Sequence, residues 1–488
     1  MDLIQDGERN HGSTESKVMA VLDNIQSDLQ SPEAGTHQFS KPFASLDSAT
    51  KHLPHLPLEM LAEIFMHCLD RSELTGHTEI RIPGRYLLPT PWILSQVCSR
   101  WRQIVLMEPQ LWNSIVFSGN VDHFPMLEQA FERCGRSSIR FKFDAYDTDP
   151  LGDIILPHSN QFRELSLYLE PDIFDAFLCL PPGLFDALEC VDLSYNYAIE
   201  IPSEEARVFR GAPRLHRVTI QNLQVELPPF PRFPLPLGLP WARLTHINFG
   251  IIRIPLTVTH ELMTLCSNLH EFRLCLYGYS NITDPFDAKE YSTGTILLPR
   301  LRELELSVRG RKWGLTVDLY CRYLRPLRLP ALQKFKFVFP GCAEQPTSTF
   351  AAMIADLSPP SLCSELSYLG PWFGFFPVET IAPLTFVTCI KIPCCSLPRS
   401  SMELIFQGKI FPKLMSLDVR IDTADMEAFI TMLTTQWSTK SQPPHTVARI
   451  RSARICINNA STAALSRFTQ EIDQLRDQFD LDIRLSGQ

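Results

Sequence analysis

The chain has 488 residues, 45% of them hydrophobic and 20% charged, with a formal net charge of −9. That composition excludes wholesale disorder, which needs few apolar residues and many like charges. The modest acidic balance provides no whole-chain attraction for nucleic acid or an anionic membrane. The 39 prolines are about 8% of the chain, against a typical ~5%, so helices and strands must be stopped often. Such a length implies two to four domains unless the architecture grows along one axis as stacked repeats do.

Residues 1–50 are polar, rich in Ser, Thr, Asp and Gln. Val18, Val21, Leu22, Ile25 and Leu29 form a short helical stripe, but a lone helix of that length is marginal in water, so a mostly disordered tail is expected. Met1 to Glu8 is acidic and lacks the basic-then-apolar order of a signal peptide. No stretch approaches the roughly 18–20 apolar residues of a membrane span. The expectation is a soluble protein, cytoplasmic and/or nuclear, with no membrane or nucleic-acid partner.

Pro57 suits a first helical position, where its missing N–H is no loss, and Leu58, Leu61, Ile64, Phe65, Cys68 and Leu69 follow at helical spacing. A second helix is expected from about Pro91 to Met107, with Leu94, Val97, Cys98, Trp101, Ile104 and Val105 on one side and Pro109 as its stop. Residues 70–90, with Gly76, Pro83, Gly84 and Pro89, read as a polar loop. Two short amphipathic helices cannot fully bury each other, which leaves apolar surface for a partner.

From Trp112 onward the template Leu-x-x-Leu-x-Leu, with other apolar residues allowed, recurs. It fits Phe162-Leu165-Leu167, Leu188-Val191-Leu193, Leu215-Val218-Ile220, Leu244-Ile247-Phe249, Leu269-Phe272-Leu274, Leu301-Leu304-Leu306, Leu332-Phe335-Phe337, Val387-Ile390-Ile392 and Leu414-Leu417-Val419. Weaker copies stand at Trp112-Ile115-Phe117 and Ile139-Phe141-Phe143, and a copy is expected to be hidden between residues 340 and 385. Adjacent strong copies start about 25–32 residues apart, the signature of a solenoid whose unit is a strand plus a helical or irregular return. Separate α/β domains or an all-β fold are the alternatives. Pro213, Pro299, Pro330 and Pro412 stand just before strands, where they halt what precedes without interrupting a ladder. Helical returns are expected at Thr259 to Cys266 and Ala424 to Leu433. A last helix over 462–479, behind a Ser461 cap, is expected to close the array. The loop from Leu227 to Pro240 holds six prolines and is expected to be extended, an insertion between repeats or a docking site for a polyproline reader.

The 14 cysteines are scattered through apolar segments without disulfide spacing and read as reduced thiols. Cys394-Cys395, His52/His55 and His260/His270 lack the second ligand pair that a zinc site needs. No phosphate loop, nucleophile elbow or metalloprotease motif is present. No cofactor, no metal and no enzymatic activity are expected, an unrecognised enzyme in a cleft between repeats being the remaining alternative.

Three blocks carry a resemblance. Leu56-Pro57-x-Glu59-Met60-Leu61-x-x-Ile64-Phe65, then Leu94-Ser95-Gln96-Val97-Cys98-Ser99-Arg100-Trp101-Arg102, then Pro109-Gln110-Leu111-Trp112 resemble the F-box. The variant is similar to F-box families of mushroom-forming fungi, and its departure is the long loop at 70–90. Leu188 to Asn196 likewise resembles a leucine-rich repeat with its turn-bonding Asn, although most copies lack that Asn.

Together these imply an α/β fold: a helical F-box followed by an irregular leucine-rich-repeat solenoid, one curved sheet with helices and loops on its convex side. The expected organisation is a tail at 1–50, the F-box at 51–117, and the repeat domain with its capping helix at 118–488. The resemblance implies a non-catalytic substrate receptor of an SCF-type cullin-RING ubiquitin ligase, linked to the cullin through a Skp-type adaptor. By motif position Leu56, Pro57, Leu61, Ile64, Phe65, Leu94, Val97 and Trp101 are the adaptor contacts, unless they pack against the sister helix instead. Target contacts are expected among outward strand positions: Asp192, Arg217, Asn248, Arg273, Glu305 and Lys336. A basic group of Arg309, Arg311, Lys312, Lys334 and Lys336 is a candidate phosphate site on a modified target. A leucine-rich-repeat scaffold that assembles no ligase is the alternative function.

Overall fold

The structure, a computed structural model, describes residues 56–71, 78–82, 89–118, 121–144, 151–195, 207–222, 238–250, 256–277, 295–309, 324–338, 365–369, 385–438, 448–458, 460–479 and 481–487. The expectations for the 1–50 tail, His52, His55, Asn196, Arg311, Lys312 and nearly all of the proline-rich loop lie outside the described residues.

The chain divides into two compact units, Met1–Ile64 and Phe65–Gln488. In the first, the described residues are the start of helix α1 (Leu58–Cys68), whose first turn closes from Leu61 N to the Pro57 carbonyl at 3.2 Å. Pro57 thus stands immediately before the helix and supplies its first acceptor, the role expected of a residue that cannot donate there. Leu61 is buried.

The second unit is mixed α/β, built on one large and almost wholly parallel sheet. Among the described residues sixteen strands join it in chain order. They are β1 (Asp70–Arg71), β2 (Thr78–Ile82), β3 (Ser114–Phe117), β4 (Ile139–Phe143), β5 (Phe162–Leu169), β6 (Cys190–Tyr195), β7 (Arg217–Asn222), β8 (His246–Phe249) and β9 (Glu271–Tyr277), then β11 (Glu303–Arg309), β13 (Lys334–Val338), β14 (Glu365–Leu369), β15 (Cys389–Ser396), β16 (Ser416–Asp422), β17 (Ser452–Asn458) and β18 (Asp482–Gly487). The first pair, β1 with β2, is antiparallel, whereas each later neighbour is parallel. Two short strands, β10 (Ile296–Leu297) and β12 (Leu327–Arg328), pair beside it. A sheet whose strand order follows the chain, each strand next to its predecessor, is compatible with an α/β solenoid.

In every template copy named above the second and third apolar positions lie on a strand, and the hidden copy is β14, with Leu366 buried. Alternation does the sorting: Phe141, Leu165, Val191, Val218, Ile247, Phe272, Leu304, Phe335, Leu366, Ile390 and Leu417 occupy one register column of the core. Each is nearly inaccessible to solvent. Aromatic rings stack within this core, Phe117 on Phe143 at 5.6 Å and Phe141 on Phe162 at 5.7 Å. Helix α4 (Phe124–Cys134) lays Phe131 edge-on to Phe141 at 5.4 Å, and Gly135 at φ +60° ends that helix in a conformation that L side chains rarely adopt.

The prolines have a sharper role than stopping helices. Leu215, Leu301, Leu332 and Leu414, the first residue of each copy, donate their N–H groups to the carbonyls of Ala212, Leu298, Leu329 and Phe411 at 2.9–3.4 Å. Each bond closes a four-residue turn in which Pro213, Pro299, Pro330 or Pro412 is the second residue, the place where a φ locked near −65° is already correct. The next N–H then bonds the preceding repeat, as His216 does to the Glu189 carbonyl at 3.0 Å and Gln333 to the Arg302 carbonyl at 2.8 Å.

Three expectations are corrected, and the sheet runs further than the template. The loop at 70–90 carries β1 and β2, with Ile80 and Ile82 buried, so the sheet begins there. The single helix over Pro91–Met107 is two, α2 (Thr90–Val97) and α3 (Ser99–Met107), broken at Cys98, whose backbone is extended (φ −159°, ψ 169°). Arg102 Nε bridges the break by donating to the Ser95 carbonyl at 2.9 Å. The helix at 462–479, numbered here after α5 (Pro171–Leu178), α6 (Leu256–Leu265), α7 (Arg399–Phe406) and α8 (Met426–Ser438) as α9, has the expected extent. Its Ser461 cap is also present, with Ala464 N donating to Ser461 Oγ at 3.2 Å. It does not close the array, because β18 follows it and forms the last rung against β17. Finally, β17 and β18 extend the sheet past the last template copy, with Ala453 standing where a larger apolar residue was required.

Candidate functional site

Two surfaces are candidates, and they differ in how much of the expected machinery is free. On α1, Pro57 is exposed, Leu56 and Ile64 are half-buried and Leu61 is buried. In the second unit Phe65 is wholly buried, its ring 4.8 Å from that of Trp101, and Leu94 is 2% exposed. Val97 and Trp101 are half-buried. Phe65, Leu94 and Leu61 therefore serve the interior of the chain, the packing role that the sequence left open as the alternative to adaptor contact. On these helices the large apolar side chains held in water are others: Leu58 and Met60 on α1 in the first unit, and Leu106 and Met107, the latter 71% exposed, at the end of α3 in the second; Leu156, Leu265, Leu297 and Met415 are exposed elsewhere.

A tight polar-aromatic cluster supports α2 and α3. Trp112 meets Trp92 of α2 edge to face at 4.8 Å and donates its Nε1–H to the Val105 carbonyl of α3 at 2.8 Å. Cys134 of α4 donates its Sγ–H to the Trp112 carbonyl at 2.7 Å. Arg133 lies over both indoles, its guanidinium carbon 4.5 Å from the Trp112 ring and 5.5 Å from that of Trp92. Its Nη1 is buried without an oxygen or nitrogen acceptor, and the indole faces supply the attraction instead. Burial also lowers the pKa of Arg133 and pushes the Cys134 thiol up to about 12, which favours its neutral, hydrogen-bonding form.

The second surface is the sheet face opposite the core columns. One register column there runs Lys142, Ser166, Asp192, Thr219, Asn248, Arg273, Glu305, Lys336, Ser367, Lys391, Asp418, Arg454. Five of the six expected target contacts, Asp192, Asn248, Arg273, Glu305 and Lys336, fall in it. Arg217 stands in the neighbouring column with Glu164, Cys190, His246, Glu271, Glu303, Lys334 and Glu365. Sequence alternation could place each residue on this face, but not show which ones meet.

From β9 onward the face is laced by ion pairs between strands. Arg273 lies against Glu271 of its own strand and 3.7 Å from Glu305 of the next described strand, and Glu305 accepts Lys336 at 2.8 Å. Lys334 donates to Glu303 at 2.6 Å, Lys391 to Glu365 at 2.7 Å, and Arg454 lies 3.9 Å from Asp418. Hydrogen bonding to the carboxylates raises the pKa of Lys334 and Lys391. Lys334 and Lys336, two members of the basic group read as a phosphate site, are thus already committed to carboxylates. The signal for this was available: the partners recur at the repeat spacing with opposite sign.

Between β5 and β8 the same column carries hydroxyl, amide and one carboxyl, that of Asp192. Its Oδ1 is shielded from solvent and has no hydrogen-bond partner, and burial pushes its pKa up to about 6. Among the described residues no three His, Cys, Asp or Glu side chains converge to hold a metal ion, and no helix is long and apolar enough to cross a membrane. No family model matches the chain, and no curated protein sequence matches it.

Proposed function

We propose that the chain is the substrate-recognition subunit of an SCF-type cullin-RING ubiquitin ligase. In this reading the helical segment is an F-box that docks a Skp-type adaptor, and the sheet is an irregular leucine-rich-repeat solenoid that holds the target protein. Such a receptor makes and breaks no bonds; it positions a target lysine so that ubiquitin transfer becomes effectively intramolecular.

The observation that carries the reading is the set of apolar side chains held in water on the very helices that bear the F-box resemblance: Leu58 and Met60 on α1, Leu106 and Met107 on α3. Covering side chains of this size that are about half exposed recovers burial free energy of about 1–2 kcal/mol each, which docking a partner supplies. The parallel sheet in chain order, with a polar outward face, supports the receptor half of the proposal.

The test is capture of a purified Skp-type adaptor by the full chain. The wild type is expected to capture it, and Met60→Asp and Met107→Asp, both at exposed positions where folding is little affected, are expected to weaken capture at least about tenfold. Failure of the folded wild type to capture the adaptor would leave the alternative, a repeat scaffold that assembles no ligase.

A further inference from the structure

Asp192 is out of keeping with its column. The other carboxylates there are answered, Glu305 by Lys336 and Arg273, and Asp418 by Arg454. Among the described residues Asp192 has no salt-bridge partner, and its shielded Oδ1 receives no hydrogen bond. Its ladder neighbours are Ser166 on β5 and Thr219 on β7, which bring hydroxyl groups and no charge. Lys142, the cation among the described residues that acts on Asp192, stands two strands away on β4 and is 4.0 Å from the Asp144 carboxylate. A half-buried carboxylate in this position is poorly solvated and poorly paired at once, a condition that costs free energy until a donor arrives.

We propose that Asp192 is the specificity-determining contact for the bound protein, receiving an arginine or lysine side chain from it. The inference rests on reading the outward sheet face as the target-binding surface. Charge complementarity selects the occupant: a cation restores the ionised form that burial disfavours, whereas a neutral donor leaves the charge uncompensated. A guanidinium has donors enough for the carboxylate and for the flanking Ser166 and Thr219 hydroxyls. Discrimination follows, because a target without a basic residue at this point leaves the carboxylate buried and unpaired. Among the described residues the ion-paired stretch from β9 onward has no comparable vacancy, since a new charge there must first displace an existing partner.

The experiment uses the full chain, wild type and Asp192→Asn, on immobilised random peptide pools whose central residue is fixed as Arg, Lys, citrulline or Gln. The wild type is expected to be retained about tenfold better by the Arg and Lys pools than by the citrulline and Gln pools, and Asp192→Asn to lose that preference. General attraction of an acidic chain for basic peptides would survive the substitution, so a preference kept by Asp192→Asn overturns the proposal, as does a wild type with no preference. Thermal unfolding of the same proteins supplies the folding control. Asp192→Asn is expected to melt no lower than the wild type at neutral pH; a lower melting temperature would mean that the carboxylate already has a partner within the fold, and would also overturn the proposal. Adaptor capture separates the two readings. A wild type that captures the adaptor but shows no Arg or Lys preference sinks the Asp192 assignment alone, whereas one that shows the preference but captures no adaptor sinks the ligase reading alone.

Discussion

The outward face of the sheet treats charge in two ways along its length. From β9 to β17, Arg273, Glu303, Glu305, Lys334, Lys336, Glu365, Lys391, Asp418 and Arg454 join neighbouring strands in ion pairs. From β5 to β8 one outward column is Ser166, Asp192, Thr219 and Asn248, its one carboxylate without an ion pair among the described residues, while in the column beside it Glu164 pairs with Arg140 of β4 at 3.3 Å. Beneath both stretches the core is the same, alternating Leu, Ile, Val and Phe. The lesson is that a repeat array can keep its stability in one column and vary its chemistry in the next, because adjacent strand residues point to opposite faces.

The largest effects should fall on what the two stretches share. Leu193→Ala, under the unpaired stretch, and Leu306→Ala, under the paired one, are each expected to cost about 2–5 kcal/mol in denaturant unfolding. Similar losses would show that the two stretches differ only on their outward face; a loss confined to one would mean that their cores differ too.

Asp192→Asn should sharpen the contrast with an effect of opposite sign. The carboxyl has its pKa raised from 3.8 to about 6, so the folded state holds its proton more tightly than the unfolded chain does. Its effect on stability is therefore most favourable below about pH 4 and is lost as pH rises through about 6. Relative to the wild type, Asp192→Asn is expected to be more stable by about 1–2 kcal/mol at pH 7.5 and to differ little at pH 4, as read from denaturant midpoints at the two pH values. The same sign at both would remove ionisation as the cause.

The smallest effect belongs to the paired stretch. Glu305 is shared by Arg273 and Lys336, yet those partners are substantially exposed, so Glu305→Gln is expected to cost no more than about 1 kcal/mol at low salt and less at high salt. A loss comparable to that of Leu306→Ala would make the ion pairs, rather than the core, the main bond between these repeats.

Much of the sheet was legible because its signals are local. Two apolar positions flanking one polar residue mark each strand, and the proline before a copy marks the turn that starts it. Helix α9 was equally plain, since a Ser cap and a long apolar stripe agree. The break at Cys98 was not, because the apolar period runs through it unchanged and what bridges the break is Arg102 reaching back to the Ser95 carbonyl. β2 was read as loop although Ile80 and Ile82 alternate, its five residues being too few to outweigh the glycines and prolines around it. The adaptor positions show the same limit: helical spacing put Phe65 and Leu94 on an apolar face, but only the fold shows that this face points inward while Met60 and Met107 stay in water.

By itself the sequence determined which residues alternate, where the chain turns and which helix is capped, because each depends on neighbours a few positions away. The tertiary structure alone decided which charge meets which. The ion pairs that cross from strand to strand join residues some 25–36 positions apart, and the register that joins Glu305 to Lys336 and sets Asp192 between Ser166 and Thr219 exists only once the strands have paired.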